Sequence, residues 1–297
     1  MKFLNSFTFI FLSFSILLFS CSNETEEMMQ DQGLLIESFD VPDTDLALEM
    51  YGHHKLMAGY NPLGLRVVDA NGATVEATIK VEAIMTMDGG HSHGTPVDVP
   101  AVSLPEGQVP VGIFFIMPSM NGFWELTFSI EGTGVEATFT EEVSVANNNP
   151  ENEKYGQHFI RKTFHDESHF FSYYWKNGKP SADANEWVGV AYKFSMGHDH
   201  MRPAMMDFVP VSGLEWNTIS WMASMNHGAP ENQTAEEIDG FEGHYATKVN
   251  FTMTGDWQIA NDVKVGEMSV LSSEAMPAEK EGEIDYYAGD VFYLEFN

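Results

Sequence analysis

Cysteine is almost absent: Cys21 is the only one in 297 residues. An intramolecular disulfide and a thiolate metal cage are therefore excluded, and any metal chemistry must use His, Met, Asp or Glu. Basic side chains are also scarce, 14 Lys and Arg against 44 Asp and Glu, for a formal net charge of -30. A nucleic-acid surface needs cations to neutralise phosphate, so that class of partner is excluded. The HExxH, glycine-rich phosphate-loop and G-x-S-x-G signatures are missing as well, and we expect no enzyme. What is present is core material. Hydrophobic residues make up 43% and aromatic residues 13%, and the length favours two domains over one.

The one cysteine has a context. Lys2 precedes a mostly apolar stretch from Phe7 to Phe19, which closes as Leu18-Phe19-Ser20-Cys21. This resembles the lipobox of a bacterial lipoprotein signal peptide, whose cysteine is acylated and becomes the first mature residue. It implies a signal peptide at 1–20 and a membrane partner reached through lipid on Cys21. Residues 21–45, which run SNETEEMMQDQG from Ser22, read as an acidic, flexible tether. The early acidic cluster resembles surface-export signals of lipoproteins in Bacteroidetes-like bacteria. The expected location is the cell envelope, lipid-anchored at the outer membrane.

From Leu46 the pattern is short strands. Val75, Ala77, Ile79, Val81, Ala83 and Met85 share one parity, and Glu76, Thr78, Lys80 and Glu82 the other, as in a half-exposed strand. Residues 122–130 and 137–145 predict a hairpin around Glu131-Gly132-Thr133-Gly134. The segment 147–155, rich in Asn and acid, reads as a linker. Further apolar runs follow, ending in a terminal strand within 285–296 that could return to the first domain. The expected fold is all-β: two immunoglobulin-like β-sandwiches in tandem, at 46–146 and 156–297.

Methionine and histidine are distributed unevenly. Met85 to Pro96 reads MTMDGGHSHGTP, and 222–230 reads MASMNHGAP. Two earlier segments, Met50 to Met57 and Met196 to Met201, each hold two histidines between methionines. Thioether and imidazole suit cuprous copper, and imidazole with carboxylate suits cupric copper or zinc. Calcium is suggested by acidity alone, and no calcium loop is present. If opening strands and later turns meet at one end of each sandwich, His53, His54, Met87, His91 and His93 form one site. His198, His200, Met201, Met225 and His227 form the other, with His244 a further candidate.

The order of an apolar strand, a Met/His turn, a loop and Met-x-Gly-x-Trp resembles the YtkA-like or FixH-like family of exported immunoglobulin-like domains. The matching residues are Met85, Met87, His93-Gly94-Thr95-Pro96, Met120, Gly122 and Trp124, then Met222, Met225, His227-Gly228-Ala229-Pro230, Met253, Gly255 and Trp257. The resemblance implies copper handling. The expected function is thus an exported copper-binding lipoprotein, a carrier, buffer or delivery factor that passes the ion to a copper-accepting envelope protein. The alternative is a cell-surface module, structural or binding protein or glycan through aromatic segments such as Phe170 to Trp175, with no metal role.

Overall fold

Strand follows strand because apolar, often β-branched or aromatic residues alternate with polar ones and Gly turns separate them. A computed structural model describes residues 33–132, 134–147, 158–164, 167–195, 207–230, 233–272 and 290–296. The fold is all-β and antiparallel, with only single turns of 3-10 helix among the described residues. The first half holds β1 (Leu34–Asp40), β2 (Ala47–Gly52), β3 (Gly59–Val68), β4 (Thr74–Val75) and β5 (Ala77–Met87). It continues with β6 (Ser92–Gly94), β7 (Val97–Asp98), β8 (Val109–Phe115), β9 (Gly122–Gly132) and β10 (Val135–Val143). The second holds β11 (Phe159–Phe164), β12 (Glu167–Trp175), β13 (Ala184–Ser195), β14 (Asp207–Pro210), β15 (Leu214–Met222) and β16 (His227–Gly228). After these come β17 (Thr234–Glu237), β18 (His244–Asn250), β19 (Gly255–Val265), β20 (Met268–Leu271) and β21 (Val291–Phe296).

Strand order repeats between the halves. One sheet runs β1-β2-β3-β8-β7 with β4 on β3, and its counterpart runs β11-β12-β13-β18-β17 with β14 on β13. The facing sheet runs β10-β9-β5-β6, and its counterpart runs β20-β19-β15 with β16 on β15. In the second half β17 pairs with both β18 and β15, so its two layers form one continuous sheet. The role of β10 is shared there between β20 and β21, which pair with successive parts of β19.

Two expectations change. Leu34–Asp40 was placed in the flexible tether, but it is β1, paired with β2 from Leu34↔Gly52 to Asp40↔Ala47. Phe39 drives this, buried with its ring 5.4 Å from that of Phe128. The terminal strand does not return to the first half: β21 pairs with β19.

Each half has its own core between its layers, centred on Trp124 and Phe128 in the first and on Trp187, Trp216 and Trp257 in the second. A third cluster joins the halves. Tyr60 and Phe114 of the first pack with Phe170, Tyr174, Val188, Val190 and Tyr192 of the second. Each such side chain contributes roughly 1.5–3 kcal/mol when buried, so the seam is worth on the order of 10 kcal/mol before ordering costs. Hydrogen bonds cross it too: the Tyr60 amide donates to Ser172 Oγ at 2.9 Å, which donates to the His158 carbonyl at 2.9 Å. No helix among the described residues is long and apolar enough to cross a membrane.

Candidate functional site

The seam has one carboxylate at its centre. Asp98 ends β7, held against β8 by the pairs Val97↔Ile113 and Asp98↔Gly112. Gly112 is required there: a Cβ on it would lie 1.8 Å from Tyr60 Oη and 2.4 Å from Asp98 Oδ1. Through the space left by that missing side chain, Tyr60 donates to Asp98 Oδ1 at 2.5 Å. Tyr192 donates to Oδ2, and His244 Nε2 lies 2.8 Å from the same oxygen. Tyr174 completes the chain. Its oxygen accepts the Ala101 amide at 2.9 Å and lies 3.3 Å from His244 Nδ1. With the Tyr174 phenol hydrogen given to Nδ1, the His244 hydrogen sits on Nε2 and is directed at Asp98. Three donors therefore surround one carboxylate.

Above this floor opens a crevice of about 740 Å³, in the size range of small-molecule sites. Its walls include Pro96, Phe208, Pro210 and Phe241, and Asp98 and Glu242 are its carboxylates. The turn bearing Phe241 and Glu242 is pinned by Glu237, which accepts the Gly243 amide at 3.1 Å and the Gly213 amide at 3.1 Å. Burial raises the Glu237 carboxyl, but hydrogen bonds from Ser212, Gly243 and Gly213 outweigh it and hold the group below the ordinary range. Tyr60 and Tyr192 are pushed well above the usual phenol range, first by burial and then by the Asp98 charge. They therefore remain donors.

Neither a family model nor a curated protein matches this chain. Among solved structures it is similar to FdeC, an adhesin of Escherichia coli, with TM-score 0.23 and 12% identity over 86% of this chain and 65% of that one. It is also similar to a DUF4785 family protein of Legionella pneumophila, with TM-score 0.24 and 9% identity over 74% of this chain and 54% of that one. The chain thus spans less than two thirds of either structure. Likenesses this distant carry no argument about function.

The residues expected to bind metal are dispersed. His53 and His54 line a cavity of about 220 Å³ with Met57, His158 and Tyr173, where Gly178 leaves room for the His53 ring. His54 Nδ1 donates to the Lys55 carbonyl at 2.9 Å. His91 is exposed and Met87 is half-buried against the first core. His93 is 5% exposed, its ring edge-on to Trp124 at 5.7 Å, and so does not join His53 and His54. In the second half His227 packs on Trp257 at 6.3 Å and Nε2 shares a 2.9 Å hydrogen bond with Thr252. Met225 is 61% exposed. His244 belongs to the seam. His198, His200, Met201 and Cys21 lie outside the described residues. Among the described residues, no three or more His, Cys, Asp or Glu are grouped to hold a metal ion.

The two Met/His turns are nonetheless built alike. Met85 pairs across β5 and β6 with His93, and across β5 and β9 with Trp124. Met222 pairs across β15 and β16 with His227, on the same core as Trp257. Each methionine methyl lies 3.0 Å from where a Cβ would stand on the glycine opening the next strand, Gly122 or Gly255. Both glycines have positive φ, 156° and 134°. Part of the repeated Met/His/Gly/Trp pattern therefore builds a core corner, which explains its recurrence without a ligand.

Proposed function

We propose that the protein is an extracytoplasmic binding module: two immunoglobulin-like β-sandwiches in tandem, carried on a lipid-modified Cys21 at the envelope surface, that hold a protein or glycan partner. The observation that carries this reading is the crevice between the halves, which is large and aromatic-walled and stands on a hydrogen-bonded floor fixed in advance of any ligand. The floor groups are occupied in holding the halves together, which favours binding over chemistry. Val99 is exposed and lines the crevice, so Val99→Trp obstructs it without touching the core. On glycan arrays and partner-cell binding assays the variant loses at least about tenfold in apparent affinity, with its melting temperature unchanged. Unaltered binding by the variant would sink the proposal.

One observation favours copper carriage as a second reading. His93 Nδ1 donates to the Gly94 carbonyl at 3.1 Å, so Nε2 bears the lone pair. That buried Nε2 has no hydrogen-bond partner among the described residues. It shares a sheet row with the Met85 thioether, and imidazole with thioether suits a cuprous ion. The ion would then pass to a copper-accepting envelope partner. On this reading the full chain takes up cuprous ion in competition with a chromophoric chelator, Trp fluorescence falls, and His93→Gln abolishes both. Equal uptake by the variant would remove the second reading.

A further inference from the structure

The crevice has an unusual balance of charge. Asp98 and Glu242 are its carboxylates, and among the described residues no Lys or Arg lines it. The partners of Asp98 are two phenols and an imidazole, Tyr60, Tyr192 and His244, which hold the carboxylate by hydrogen bonds rather than by a guanidinium or ammonium. The His244 side chain is almost wholly buried at 2% exposure, whereas Asp98 keeps 22% and meets the crevice. The Asp98 carboxylate therefore stands at the floor of a site walled by Tyr192, Phe208 and Phe241.

Acceptor capacity decides the kind of cation. A carboxylate offers about four lone-pair directions, and three at Asp98 are already taken. A primary ammonium brings three N–H donors and would leave some of them unpaired on entering, at a cost. A metal ion would need several converging oxygens, which the apolar and proline-lined walls do not supply. A quaternary ammonium needs charge and aromatic surface but no acceptors, and this crevice offers that combination.

We infer that the crevice recognises a quaternary ammonium group, of the kind a choline headgroup presents. The inference rests on the crevice being the binding surface, and it names the ligand that surface takes. The excess of acidic residues would also draw cations toward the protein at low salt.

The test is calorimetric titration of the full chain with choline, with its uncharged carbon isostere 3,3-dimethylbutan-1-ol, and with N-acetyl-lysine methylamide as a primary ammonium. Choline is expected to bind at least about tenfold more tightly than either. Phe241→Ala should weaken choline several-fold, and Glu242→Gln should weaken it less and flatten its salt dependence. Choline binding that Val99→Trp leaves intact, or equal binding of choline and its isostere, would overturn the inference. So would no choline binding at all. If choline fails while Val99→Trp still abolishes binding on the arrays, the ligand class is wrong and the binding module stands. If Val99→Trp changes neither, both fall.

Discussion

Asp98→Ala should lower the melting temperature by about 10 °C, the largest effect expected of a single substitution at the seam. The change removes the acceptor shared by Tyr60 and Tyr192 and leaves His244 Nε2 facing a void. Tyr60 and His244 are almost wholly buried, so water does not replace what they lose. Each buried donor left without a partner costs roughly 1–3 kcal/mol, and three of them give about 3–5 kcal/mol after partial relaxation. At about 2–4 °C per kcal/mol for a chain of this size, the shift follows. Tyr192→Phe separates this cause from lost packing. Alone it destabilises, because it takes a donor from Asp98; added to Asp98→Ala it should recover about 1 kcal/mol, because it deletes an orphaned hydroxyl. Additive losses in the double variant, measured by thermal and urea unfolding, would show that the network contributes little.

The same network was the part least visible in the amino-acid order. Tyr60, Asp98, Tyr174, Tyr192 and His244 come from five strands or strand edges across both halves, and no local period links them. Asp98 is one of 44 acidic residues, so its type carried no signal. His244 stood out only as a further candidate metal ligand, not as the partner of a carboxylate. Strands with clean alternation were legible: the inward parity of Ile79, Ala83 and Met85 is the buried face of β5. The hairpin of β9 and β10 was legible from its Gly-bearing turn. By contrast β1 places only Ile36 and Phe39 inward among exposed residues, too few to mark a strand beside an acidic segment. The expected meeting of His53 and His54 with His91 and His93 failed for a tertiary reason. The end of β2 faces the seam, beside His158, while β6 closes over Trp124 in the first core.

Acid should loosen the protein from about pH 6.5 downward, and His158 is the reason. Burial first, and then the charge of nearby His54, lower the His158 imidazole to about 3 from 6.5. The folded protein thus holds it neutral, while the unfolded chain binds a proton below pH 6.5. Above that pH the residue costs nothing. As pH falls below it, stability is lost at about 1.4 kcal/mol per unit, continuing until the folded-state value near 3 is reached. Between pH 6.5 and 4.5 the loss is about 2–3 kcal/mol. His169, also lowered chiefly by burial, acts in the same direction. Glu49, Glu237 and Asp69 have lowered values, so the stability they contribute is lost mainly as pH falls below about 4.5, beneath the interval from 6.5 to 4.5. Urea unfolding of the full chain at pH 7 and pH 4.5 measures the difference directly. His158→Phe keeps a ring against Tyr173, on which the imidazole stacks at 5.7 Å, and should remove most of the slope. An unchanged slope in that variant would place the acid sensitivity elsewhere. Because His158 also gives its carbonyl to the Ser172 bond at the seam, its protonation should release the junction between the halves before either core melts.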